Sequence, residues 1–227
     1  MNPVDEAIVS RRSVRAFLPT PVPLETVRHL LAVASRAPSG SNTQPWKVYA
    51  LTGAPKEKLS AAILKARREE PPDAHKAEYL SYMKEWREPY LSRRRATGWG
   101  LYNLVGVAKG DREGARRQLD RNFVFFDAPV GLIITLDRDL ELGSWVDLGT
   151  FLQNIMIAAR GHGLHTCPQA AFMDYHKIIR AELAISEREI VICGMAIGHE
   201  DPTKPENSLR LERAPVDEFT HFFGFDP

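Results

Sequence analysis

The run Val130 to Leu136, VGLIITL, constrains the fold more than any other stretch of this chain. Side chains alternate between faces along a strand, so an apolar run of this kind buries both faces and reads as a central strand. A strand like that needs cover on two sides. Ile190 to Ile197 reads as a second buried strand and Trp46 to Leu51 (WKVYAL) as a third. Helices supply the cover. Leu148, Phe151, Leu152, Ile155, Met156 and Ala159 recur at helical spacing and predict a helix over 147–160, with Gly161 placed as its C-cap. Leu24, Val27, Leu30, Leu31 and Ala34 predict another that stops near Ala37, ahead of Pro38. Residues 4–10 read as a short helix, 11–17 as an extended exit and 56–70 as a helix. The elements show no regular βαβ alternation, so the expectation is an α+β chain built on one sheet.

Composition narrows the function classes. The 227 residues carry 30 Lys+Arg against 29 Asp+Glu, a formal charge of +1, which argues against a nucleic-acid binder held by bulk charge. No stretch approaches the ~20 apolar residues of a membrane span. No signal peptide is apparent at the N-terminus, and a reducing cytoplasm is the expected compartment. Cys167 and Cys193 lie far apart without zinc spacing and read as buried, reduced thiols. His162 and His165 form an H-x-x-H with no acidic residue close in sequence, which reads as neutral or capping histidines, and no metal is expected. Residues 71–125 open on Pro71-Pro72 and concentrate charge and aromatics, as a helical insertion or a lid would.

The usual phosphate-loop, dinucleotide and hydrolase signatures are missing from the sequence. Four stretches are positive signals instead. Arg11-Arg12-Ser13-Val14-Arg15 places three guanidiniums and a hydroxyl within five residues, and on an extended backbone Arg11, Ser13 and Arg15 share a face. Arginine forks its donors onto phosphate oxygens, so this is either a phosphate cradle or a solvated basic face. Pro38-Ser39-Gly40-Ser41-Asn42-Thr43-Gln44-Pro45-Trp46 offers hydroxyls, amides and backbone N–H groups to a polar ring or ribityl chain, or is an ordinary helix-to-strand turn. Small residues after Pro168, in Pro168-Gln169-Ala170-Ala171, would let a planar ligand approach the backbone. Arg210 and Arg213 add cationic donors from the far end of the chain.

Together, and in this order, these motifs resemble the nitroreductase family of FMN-dependent oxidoreductases. The R-R-S-x-R start, the A-P-S-x-x-N-x-Q-P-W loop, the Phe125-Phe126-Asp127-Ala128-Pro129-Val130 strand entry, the G-L-x-x-x-P segment and the L-R-x-E-R-A-P-V-D-E tail all take part. The resemblance runs over most of the chain. It implies one nitroreductase-like domain over 1–227 with a central, mostly antiparallel sheet flanked by helices. It also implies an intertwined homodimer with FMN at the subunit interface, and a C-terminal extension from about 199. By the same resemblance Arg11, Arg12, Ser13 and Arg15 contact the flavin from one subunit, with Arg11, Arg213 and Arg210 toward the phosphate. Pro38, Ser39, Gly40, Ser41, Asn42 and Gln44 come from the partner. Pro168, Gln169, Ala170 and Ala171 pass along the ring. Two positions depart from the family pattern: Gly40 replaces a serine hydroxyl, and Ala170-Ala171 stands where some relatives carry Glu-Gly.

The implied activity is ping-pong transfer of hydride from NAD(P)H to an electron-poor acceptor, a nitroaromatic or a quinone. No side chain is expected to be catalytic, because the flavin carries the redox chemistry. Trp86, Tyr90, Trp99 and Tyr102 are the candidates to stack on an aromatic acceptor, with Arg93 to Arg95 attracting its carboxylate or a cofactor phosphate; the same residues also fit plain packing and a wet surface. The alternatives are related flavin chemistry, namely reductive dehalogenation or flavin cleavage, and a non-catalytic FMN-binding module.

Overall fold

A computed structural model describes residues 1–71 and 73–225. Pro72 of the Pro71-Pro72 pair and the last two residues of the expected C-terminal extension lie outside the described residues. In chain order the elements are α1 (Pro3–Ser10), α2 (Leu24–Ala34), β1 (Trp46–Leu51), α3 (Gly53–Glu69), α4 (Tyr90–Leu104), α5 (Arg112–Asp120), β2 (Val130–Asp137), α6 (Leu142–Gly161), β3 (His165–Gln169), α7 (His176–Leu183) and β4 (Glu189–Gly198). The strands form one antiparallel sheet in the order β1-β2-β4-β3. The fold is α+β with an antiparallel sheet flanked by helices, as expected.

The apolar run performs as its pattern predicts. Leu132, Ile133, Ile134 and Leu136 are all 0% exposed. Leu132, Ile134 and Leu136 pack with α2 and α6 on one face, against Leu30, Phe151 and Ile155. Ile133 packs on the other face, with Leu59 and Ile63 of α3, Ile179 of α7 and the phenylalanines of two irregular turns. A bulge between β2 and β4 pairs Ile134 with Cys193 and Thr135 with Val191. The residue left over, Ile192, turns to the same side as Cys193, so both enter the α2/α6 layer.

Several boundaries differ from the sequence reading. α2 ends at Ala34 rather than Ala37. Arg36 N–H donates to Val33 O (3.1 Å) and Ala37 N–H to Ala34 O (3.0 Å), so the approach to Pro38 tightens into i→i−3 bonds. α3 begins at Gly53, and α6 begins at Leu142, before its apolar stripe. Gly161 is the last residue of α6 and not its cap. His162 is the cap, and Gly163 at φ +66° takes the left-handed position. Leu164 N–H reaches Ala159 O (2.9 Å) and Gly163 N–H reaches Arg160 O (3.1 Å), the paired bonds of a Schellman motif. β3 and α7 were not expected. β3 is an edge strand, which is how it accommodates Pro168.

Two glycines shape the face of the sheet opposite α2 and α6. A Cβ on Gly131 of β2 would lie 2.6 Å from the Phe125 ring, and one on Gly194 of β4 would collide with Phe172. β2 pairs Gly131 with Ala196 and Ile133 with Gly194, so the glycines sit diagonally on one face. Phe125 and Phe172 stack in that depression with centroids 4.6 Å apart. Gly194→Ala is therefore expected to cost about 1–3 kcal/mol, as overpacking of a filled core does, read as a lower urea midpoint with an unchanged slope.

Candidate cofactor site

The extended stretch after α1 is clamped on both sides. Ser13 bridges Thr166 of β3 in parallel, with Val14 N–H to Thr166 O at 3.1 Å. On the other side Phe17 bridges Glu200, and Leu18 N–H meets His199 O at 2.9 Å. Val14, Ala16 and Phe17 point inward and are buried. Arg11, Ser13 and Arg15 are left half-buried along one edge, as strand alternation requires.

That edge forms the wall of a cavity of about 830 Å³. Five arginines line it, Arg11, Arg12, Arg15, Arg210 and Arg213, together with Ser10, Ser13 and Gln153 and the apolar Ile8, Val9, Leu209 and Leu211. The lining contains no carboxylate. The arginines from the two ends of the chain thus meet in one place. Burial, and then the neighbouring Arg213 guanidinium, lower the pKa of Arg11 from its ordinary value. Backbone carbonyls, not carboxylates, hold three of the others: Arg15 reaches Ser13 O (3.3 Å), Arg210 reaches Asn207 O (2.8 Å) and Arg213 reaches Leu211 O (3.0 Å). Arg12 differs, since its guanidinium pairs with Glu200. A concave site with surplus positive charge and no internal anion is built for an anionic ligand. The volume falls within the range of cofactor pockets, so the donor set fits the phosphate of FMN.

Pro168 and Gln169 end β3, Ala170 and Ala171 follow it, and none of the four lines the cavity within one chain. Cys167, next in line, is fully buried and lies close enough to Arg15, Ser13 and Arg11 for each to act on its thiol. Gln169 is 2% exposed, and its amide donates to Asn122 O at 2.7 Å. Phe172, immediately after Ala171, is the ring seated on Gly194.

The other predicted residues lie elsewhere. Pro38 to Gln44 forms a tight turn in which Ser41 (φ 51°), Asn42 (φ 57°) and Gln44 (φ 47°) all adopt left-handed backbone. Gly40 N–H donates to Asp147 Oδ2 (3.0 Å) and Gln44 N–H to Ser39 Oγ (3.0 Å). Asp147 precedes the cavity-lining Gln153 by six residues, about 9 Å along the helix. Gly40 to Gln44 is exposed, and within one chain the turn does not line the cavity. The four candidate substrate aromatics do not line it either. Trp86 lies under Arg94 (4.8 Å), Tyr90 under Arg87 (5.2 Å) and Trp99 under Lys109 (5.9 Å), while Tyr102 is half-buried. Arg93 pairs with Glu218 of the tail at 3.0 Å. α4 backs onto the site through Gly100, where a Cβ would come within 2.8 Å of Leu209.

Sequence reasoning missed Gln153, Glu200 and Asn207. Gln153 interrupts an apolar helix and was lost in its periodicity, whereas Glu200 and Asn207 carry no local motif. His162 caps α6 and packs edge-on to His29. His165 approaches Glu200 at 3.4 Å, an acidic neighbour 35 residues away in sequence. Among the described residues no three His, Cys, Asp or Glu side chains gather as a metal set, and no helix is long and apolar enough to cross a membrane.

The nitroreductase family model matches residues 8–199. The chain is 42% identical over 219 residues to the chloronitrobenzene nitroreductase of Comamonas testosteroni, covering 96% of each. It is 42% identical over 224 residues to the 4-nitrobenzoate reductase of Pseudomonas putida, covering 98% of this chain and 96% of that one. The crystal structure of the FMN and NADPH-dependent nitroreductase NfnB from Sphigopyxis sp. strain HMH superposes with a TM-score of 0.94 at 36% identity, covering 98% of this chain and 99% of that one.

Burial, followed by the nearby Arg160 cation, pushes His165 down to about 4, with Arg12 and His199 adding to the effect and Glu200 opposing it. The unfolded chain binds this proton more readily, so the stabilisation is complete above ~6.5 and is lost as pH falls toward 4. His165→Gln should flatten the pH dependence of the unfolding midpoint between pH 6.5 and 4. Burial raises Cys167 to about 11 and Cys193 to about 12. Neither thiol should react with iodoacetamide at pH 8 until the protein is denatured.

Proposed function

The chain belongs to the nitroreductase family, and from that premise we propose that it is an FMN-dependent oxidoreductase working with NAD(P)H on a nitroaromatic or a quinone. The observation that carries this reading is the cavity of five arginines without a carboxylate, assembled from both ends of the chain. Arg11, Arg210 and Arg213 would neutralise the phosphate, and the Ser13 hydroxyl would add a neutral donor. The chemistry supplied by bound FMN is two-electron transfer from a reduced nicotinamide to an electron-poor acceptor. Arg15, half-shielded from water in the lining, would contribute a fixed cation toward the negative charge of the reduced cofactor. The backbone of Pro168 to Ala171, which follows the buried Cys167 beside Ser13 and Arg15, would supply a rigid flank for the ring. Arg12, neutralised by Glu200, contributes through its backbone and its place in the strip.

The assembly proposed is a homodimer in which Pro38 to Gln44 of one subunit completes the cavity of the other. Two features support it. That turn holds three left-handed, non-glycine residues, a strain found where a segment must present itself to a ligand. The chain also leaves apolar side chains uncovered at both ends: Val4 (61% exposed) and Val9 (70%) on α1, and Phe223 (85%) and Phe225 (76%) in the tail. Within this single domain, residues 71–125 act as the insertion that faces the acceptor. α4 meets the cavity lining where Gly100 packs on Leu209, and Trp86 ahead of it and Tyr90, Trp99 and Tyr102 along it would offer their rings to an aromatic acceptor. The relatives named for nitrobenzoate and chloronitrobenzene act on such arenes. Two free, buried thiols suit a reducing, cytoplasmic compartment.

The preparation should be yellow, bleach with NADPH under anaerobic conditions, and recover its colour on addition of 4-nitrobenzoate. A colourless protein that takes up no FMN sinks the reading. Arg11→Ala removes a charge-assisted contact and should raise the FMN dissociation constant about 10- to 100-fold, measured by flavin fluorescence titration of the apo-protein.

A further inference from the structure

Arg15 has a half-exposed side chain on an irregular strand, so something must hold its backbone in place. Asn207 does. It is 4% exposed, and its Oδ1 accepts from Arg15 N–H at 2.8 Å. Its amide nitrogen donates to Ala16 O at 2.8 Å and to Asp201 O at 2.9 Å. Both amide hydrogens are used, and two of its three partners are consecutive residues of the clamped strip: Arg15, which lines the cavity, and Ala16, buried behind it. The amide thus works as a staple between the arginine strip and the chain that follows β4.

The staple is itself anchored. Glu206, its neighbour, is also 4% exposed, and its carboxylate pairs with Arg121 at 2.9 Å. Arg121 in turn holds Asp127 at 3.0 Å across the turn of left-handed Phe125, Phe126 and Asp127. The same turn presents Asn122 O to Gln169, at the end of β3. Two buried neighbours, Glu206 and Asn207, therefore connect the arginine strip to Gln169 at the end of β3. Asn207 does not line the cavity, and its backbone O, which accepts from Arg210 at 2.8 Å, is kept in a side-chain variant, so the effect of its side chain on a ligand is assigned to Arg15.

We propose that Asn207 is a positioning residue that fixes the backbone of Arg15 and thereby aims its guanidinium into the cavity. This rests on the reading of the cavity as an FMN site. Asn207→Ala leaves the Arg15 N–H and two carbonyls without their partner. It is expected to speed hydrogen exchange of the Arg15 amide in the apo-protein and to raise the FMN dissociation constant about tenfold. Because the effect travels through Arg15, the double variant Arg15→Ala/Asn207→Ala should bind FMN no more weakly than Arg15→Ala alone. As a control, Glu189→Gln disturbs a buried carboxylate held by Tyr49 and Thr135 at the far end of β4, and should lower the melting midpoint without altering FMN affinity. If Asn207→Ala does not fold, Asn207→Leu, which fills nearly the same space but offers neither acceptor nor donor, is read in the same cycle with the same expected result. Unchanged Arg15 amide exchange, or additive losses in the double variant, would overturn the proposal. If the unsubstituted apo-protein binds no FMN, the cofactor reading falls, and hydrogen exchange still decides whether the staple exists.

Discussion

The stacked rings of Phe125 and Phe172, seated on Gly131 and Gly194, are the contact on which the arrangement of the site depends. Each ring occupies space that a Cβ would fill. Phe172 lies one residue beyond Ala171 and Phe125 lies inside the turn that carries Asn122 and Asp127. Docking the pair on the sheet therefore fixes the end of β3 and the turn that carries Asn122 and Asp127 in one step. The left-handed backbone at Phe125, Phe126 and Asp127 is unfavourable for residues with side chains. It persists because the rings are buried, because Phe17 N–H bonds to Phe126 O at 3.1 Å, and because Arg121 grips Asp127.

Electrostatics then separates the five cavity arginines into two groups. Arg12 is matched by Glu200, while Arg11 and Arg213 press on one another with no carboxylate in the lining. Like charges held together by the fold raise its free energy until an anion joins them. A site of this kind stabilises the folded chain most when loaded, by mass action. The tail brings Arg210 and Arg213 to the cavity lined by Arg11 and Arg15, so an anion bound there would tie the two ends of the chain together.

The sequence carried the sheet and its cover because burial on two faces has a pattern that needs no tertiary information. Val130 to Leu136 and the stripe Leu148 to Ala159 are such patterns. β3 escaped notice because five residues containing His, Thr and Pro have no apolar period; edge placement beside β4 makes them a strand. α7 escaped for a related reason, since its buried His176 and Arg180 read as surface residues until Glu78 and the Glu189 carbonyl are seen to satisfy them. Gly161 was the wrong cap because composition cannot tell which of two nearby glycines, Gly161 or Gly163, takes the positive φ.

The amino-acid order alone determined the α+β class, the arginine strip, the polar turn at 38–44 and the family resemblance, since each is a local property of residue type and spacing. Tertiary structure decided which of those residues meet. Arg11 and Arg213 are about 200 positions apart in the chain, and no local rule brings them together; the clamp of residues 13–18 between Thr166 and Glu200 does. It also decided that Arg12 faces a carboxylate while Arg11 does not, because charge pairing depends on distance in space.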